Sequence, residues 1–107
     1  MTMRDGETQQ DDDPARVVRG LLRQAGRATL ATLMADGGGP YASLVMVATD
    51  LDGAPILLLS DLAAHSRNIA AERRVSLLVD GTAGYVPPLT GPRASVIGRI
   101  AKTDEAQ

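Results

Sequence analysis

The chain has 107 residues, which points to one domain, and its formal net charge is −2. With no Phe, no Trp and only Tyr41 and Tyr85, the core must be built from Leu, Val, Ile and Ala, a modest core that a second chain helps to bury. The absence of cysteine excludes disulfides, thiol chemistry and cysteine-type zinc sites, and a single histidine argues against a histidine-based metal site.

The N-terminus, "MTMRDGETQQDDDP", is acidic and polar, with no signal or transit peptide character. Residues 1 to 12 read as a disordered acidic tail and 13–107 as the folded domain. Beyond residue 13 there are ten Lys/Arg against eight Asp/Glu, so the folded part is mildly basic. That balance suits a small anionic ligand. It argues against nucleic acid, which needs a denser basic stripe with stacking aromatics. The longest apolar run is too short to span a bilayer, and the expected location is cytoplasmic.

"DDDPARVVRGLLRQAG" predicts a helix, with Asp13 as cap, Pro14 at the first position and Gly26 at the exit. Val17, Val18, Leu21, Leu22 and Ala25 share one face, and Arg16, Arg19 and Arg23 the solvated opposite one. From Arg27 the period changes to that of strands: "RATLATLMA", a "DGGG" hairpin turn, "PYASLVMVATD", an "LDGAP" turn and "PILLLS". A short helix through about Glu72 follows, then a fourth strand "RRVSLLVD", a Gly/Pro loop and a fifth strand "RASVIGRIAK". Alternation places Leu30, Val45, Val47, Leu57, Leu77 and Val96 in the core. Gly98 suggests a bulge or a close backbone approach.

Together these elements predict a mainly β (α+β) fold: a small antiparallel Greek-key split barrel with an N-terminal helix and one short inserted helix. No closing strand follows "RIAK", which implies a C-terminally truncated chain or an edge covered by a partner.

The chemistry-bearing stretch is "LSDLAAHSRNIAAE", Leu59 to Glu72, which holds the sole histidine. If Ser66 caps the helix, the backbone N–H groups of Arg67 and Asn68 are free donors at its positive end, Arg67 adds a forked cation, and Ser60 adds a hydroxyl. That combination is a candidate phosphate site; the alternative is an ordinary capped helix whose arginine faces water. If the helix starts earlier, at Asp61, Ser66 moves inside it and the site weakens. His65 beside Ser66 is no triad signal, because nucleophile and base must converge in space. With paired carboxylates and nucleotide loops also missing, any redox chemistry would belong to a cofactor.

The run from "GGPYASLVMVATDLDGAPILLLSDLAAHSRNI" to "PLTGPRASVIGRI" resembles the flavin-binding split barrels of the pyridoxamine 5′-phosphate oxidase superfamily, in particular the branch associated with haem utilisation. The resemblance implies a homodimer with FMN at the subunit interface and an oxidoreductase acting on a small-molecule substrate. Ser66-Arg67-Asn68 matches the oxidases' serine-arginine-lysine run that holds the flavin phosphate, with Asn68 replacing the lysine. The resemblance lays the backbone of Ser43, Leu44, Val45 and Met46 along the flavin ring, with Ser43 standing where the oxidases have arginine. Arg93 and Ala94 become partner-subunit contacts, and His65 a pocket or capping residue. Two rivals remain: a haem-binding or haem-degrading module on the same barrel, with His65 as its only possible histidine ligand, and a cofactor-free interaction domain.

Overall fold

The computed structural model describes residues 2–7, 14–60 and 63–102, with residues 2–7 and 14 described by backbone alone. Pro14–Ala25 form α1, and Gly26 ends it at φ 67°, a conformation that suits a residue without Cβ. The proposed cap Asp13 lies outside the described residues. Val18, Leu21 and Leu22 are buried, with Val17 and Ala25 packed alongside, while Arg16, Arg19 and Arg23 are exposed. The buried face is the one that the helical spacing predicts.

The strands are β1 (Thr2–Glu7), β2 (Arg27–Leu33), β3 (Pro40–Thr49), β4 (Pro55–Leu58), β5 (Arg74–Asp80) and β6 (Arg93–Ala101). They close into an antiparallel barrel in the order β1-β4-β3-β2-β5-β6. β2 and β3 pair without a break from Arg27↔Met46 to Leu33↔Pro40, and β5 and β6 from Arg74↔Arg99 to Asp80↔Arg93. The two hairpin turns fall where the glycines predict them. Asp36 Oδ1 accepts from the Gly38 N–H at 2.8 Å, and Asp50 Oδ1 accepts from the N–H groups of Asp52 and Ala54, both at 2.9 Å. All six core residues named from alternation are buried. α1 is also tied to the sheet at its exit, where the Val47 N–H donates to the Gly26 carbonyl at 3.0 Å.

Two expectations need correction. Residues 2–7 of the supposed disordered tail form β1; residues 8–12 lie outside the described residues. β1 supplies the closure that is missing after "RIAK", pairing with β6 from Thr2↔Ala101 onward and with β4 at Thr2↔Ile56. Its sequence carries no strand period because the pairing satisfies backbone groups on two open edges, which asks little of side chains. The register on β6 shifts between Arg4↔Arg99 and Glu7↔Ile97, so the irregularity suspected at Gly98 lies opposite it on β1. Among the described residues, no helix is long and apolar enough to cross a membrane.

Candidate functional site

The second helix, α2, spans Ala64–Ala71 and follows β4 after a short link. Its cap is Ala63, in extended conformation and without a side-chain bond, so Ser66 is not the capping residue. Ser66 sits inside the first turn, where its hydroxyl donates to the Ser60 carbonyl at 2.5 Å. The Ser66 and Arg67 N–H groups both donate to the Ala63 carbonyl, at 3.1 and 3.4 Å. Of the two donors expected to be free there, the Arg67 N–H is thus engaged by the helix itself. An earlier start at Asp61 lies outside the described residues.

Asn68, the counterpart of a phosphate-binding lysine on the resemblance, is buried. Its Oδ1 accepts from the Ala35 N–H at 2.9 Å, and its Nδ2 donates to Thr32 Oγ1 at 3.0 Å. The Thr32 hydroxyl in turn reaches the Tyr41 carbonyl at 3.5 Å. Asn68 therefore fastens α2 to the β2–β3 hairpin. The sequence carries a signal for this: Thr32 falls on the inward side of "RATLATL", and a buried hydroxyl needs a partner.

His65 Nδ1 and Ser43 Oγ lie 3.1 Å apart in a hydrogen bond, and His65 Nε2 is buried with no partner among the described residues. Ser43 points inward on β3, half-buried, and so meets α2. Arg67 and Ser60 are exposed. The expected cluster is thus assembled in space, but Ser43, His65, Ser66 and Asn68 bond to the protein itself.

Along β3 the side chains alternate. Val45 is in the core, whereas Leu44 and Met46 project outward at 69% and 63% exposure, beside Leu58 of β4 at 66%. Register places Arg27, Met46 and Leu58 in one row across three strands, and Leu44 beside Thr29, which pairs with Leu78. The outer face of the barrel is therefore an apolar patch with an exposed guanidinium at its edge. A groove of about 580 Å³ continues from Leu44 and Leu78 toward Leu21, Gln24, Arg27 and Thr82. Sequence reasoning misses this groove, because its lining comes from the ends of separate elements.

The β5–β6 loop contains a 3₁₀ turn, Pro88–Thr90. Arg93 Nη1 donates to the Leu89 carbonyl at 2.8 Å and the Gly91 carbonyl at 3.3 Å, so this guanidinium clasps the loop, and the Ala94 side chain is buried in the core. At the loop's start, hydrogen bonds from the Thr82 hydroxyl and N–H, with a smaller contribution from nearby Arg93, hold the Asp80 carboxyl below its ordinary range. Tyr85, Val86 and Leu89 are exposed on the loop.

The fit to candidate groups follows from these bonds. A flavin phosphate finds Arg67 exposed at the head of α2, but the Ser66 hydroxyl and Asn68 amide are turned to other partners. The outer face offers aliphatic and thioether side chains with Arg27 at the margin, a lining of the kind a flat apolar ring with carboxylates would require.

Comparison with known proteins bears on the family and the fold. The family profile described as pyridoxamine 5′-phosphate oxidase matches residues 15–107. The chloroplastic non-canonical heme oxygenase HOZ of Arabidopsis thaliana is 45% identical over 42 residues, which is 39% of this chain and 13% of that one. A heme binding protein from Mycobacterium smegmatis superposes with a TM-score of 0.75 at 31% identity, covering 91% of this chain and 40% of the other. HutZ, the heme storage protein from Vibrio cholerae, shares the fold at a TM-score of 0.64 and 19% identity, over 83% of this chain and 64% of that one. The chain thus spans less than two thirds of the length of each of these three proteins.

Proposed function

The chain belongs to the pyridoxamine 5′-phosphate oxidase family, as its match over residues 15–107 shows, and on that footing we propose that it is a haem-binding split barrel that works as a homodimer. The observation that carries this reading is the outward row of Leu44, Met46 and Leu58 with Arg27 beside it. Contiguous exposed apolar area of this kind marks an interaction or ligand surface. The ring would rest on Leu44, Met46 and Leu58, and the Arg27 guanidinium would pair with a propionate. Bound haem would supply redox-active iron, and the barrel's part is to hold and orient it. His65 is poorly placed to serve as an iron ligand, because Nδ1 is held by Ser43 and Nε2 is covered. The heme-related names of the Arabidopsis and mycobacterial proteins support the same choice.

The exposed loop residues Tyr85, Val86 and Leu89 support a second copy as the partner. A stable pair is expected to bury about 1,600 Å² in total.

The second reading, FMN, is favoured by the family match and by the exposure of Arg67 at the head of α2. On that reading Arg67→Ala weakens FMN about ten- to a hundred-fold while sparing riboflavin.

Parallel titrations of the purified protein with hemin and with FMN test the two readings. A saturable shift of the Soret band, with weaker or no response to FMN, is the expected result. Saturable FMN binding with an unaltered free-hemin spectrum would replace haem by flavin. Silence with both would leave an interaction domain.

A further inference from the structure

We infer that the head of α2 does not discriminate for phosphate: its polar residues form a bracket, centred on Asn68, that fixes the helix to the barrel.

A phosphate site needs several donors that have no other acceptor, converging on one point. Here the donors diverge. The Ser66 hydroxyl closes back on the Ser60 carbonyl just after β4, and the Ser66 and Arg67 N–H groups share the Ala63 carbonyl. The Asn68 amide faces the opposite way, into the barrel, and satisfies the Ala35 N–H and the Thr32 hydroxyl at 2.9 and 3.0 Å. Ser43 binds His65 on the same inner side. Each bond joins α2 or its approach to a different part of the sheet: the exit of β4, the β2–β3 turn, β2 and β3.

Redirecting the Asn68 amide to a phosphate would take its donor from Thr32, and Thr32 and Asn68 are both buried. The exposed Arg67 side chain would meet a solvated phosphate only weakly. A lysine at position 68 would find no outward path along the present side-chain direction and would have to break the bracket.

The inference is tested by thermal shift with FMN and riboflavin at equal concentrations on the wild-type chain, which needs no variant to fold. Equal shifts with the two flavins, corresponding to an affinity ratio near one, or no shift with FMN as with riboflavin, are expected. A ratio of about ten or more in favour of FMN, the size of a charge-assisted phosphate contact, overturns the inference.

A second arm addresses the bracket. Asn68→Ala and the milder Thr32→Val should each lower the melting temperature, and the double variant should fall short of the sum, because both singles remove the same bond. Asn68→Lys should also melt lower and gain no preference for FMN. A wild-type melting temperature in Asn68→Ala, or tighter FMN binding by Asn68→Lys at unchanged stability, overturns the inference. A failed hemin titration leaves it standing, so its failure and that of the haem reading are separable.

Discussion

The two helices are attached to the same barrel by different physics. α1 lies on the sheet through Val18, Leu21 and Leu22, and its charged face meets water. α2 buries one large apolar side chain, Ile69, together with Ser66 and Asn68, and its other attachments are side-chain hydrogen bonds. Burial is non-directional and tolerates small displacements, whereas the Asn68 bridge fixes α2 in register with particular atoms of the β2–β3 hairpin. That difference suits their places in the molecule: α1 covers the core, and α2 is pinned to the inward side of β2 and β3.

Substitutions can break this contrast, and the largest effect is expected on the apolar side. Leu22→Ala should lower unfolding free energy by about 2–5 kcal/mol, the range for deleting a buried leucine side chain. Urea denaturation should show this with an unchanged slope. Asn68→Ala comes next, at about 1–3 kcal/mol, since it removes the acceptor of the Ala35 N–H and the donor to the buried Thr32 hydroxyl. Hydrogen exchange at Ala35 should accelerate in this variant while exchange within α1 does not. If Leu22→Ala and Asn68→Ala opened both helices together, the two would be one cooperative unit and the contrast would fail.

Gly26→Ala should cost about 1–2 kcal/mol from backbone conformation alone. The glycine has φ 67°, and nothing lies within 4 Å of the point where a Cβ would stand, so no clash contributes. Calorimetry would show this as a small drop in melting temperature.

The smallest effect is electrostatic and lies just past α2. The hydrogen bonds from Arg74, through its guanidinium and its N–H, hold the Glu72 carboxyl down from 4.5 to about 2. A carboxyl lowered on folding contributes stability that is present above its unfolded value and is lost as pH falls through the folded one. Asp80 has the same sign, through Thr82. Glu72→Gln should therefore flatten the pH dependence of stability between about pH 4.5 and 2, and only slightly, because the pair is exposed. Urea midpoints taken across that range check it.

The same contrast explains what can be read from the sequence. α1, the glycine turns and the alternating core positions are legible because burial writes a period into the chain, as Leu30, Val45 and Leu77 illustrate. The start of α2 is not, because a serine three residues into a helix and a capping serine look alike on paper. Asn68 resembles a ligand because its partners, Thr32 and Ala35, lie more than thirty residues away. β1 escapes notice because edge pairing satisfies backbone and needs no side-chain pattern. The cofactor is not legible either way, since both rings would use the backbone and apolar face of β3.

The outer row of Leu44, Met46 and Leu58 is the proposed haem surface, and a charge placed in that row tests it most directly. Hemin titrations followed at the Soret band, on wild type and Met46→Glu, should show affinity falling about tenfold or more, because a carboxylate would be desolvated against the ring and would compete with the propionate for Arg27, its cross-strand neighbour. The melting temperature of the free protein should be unchanged, since Met46 is 63% exposed. Equal hemin affinity in the two proteins, at equal stability, would contradict the proposal and move the ligand off this face.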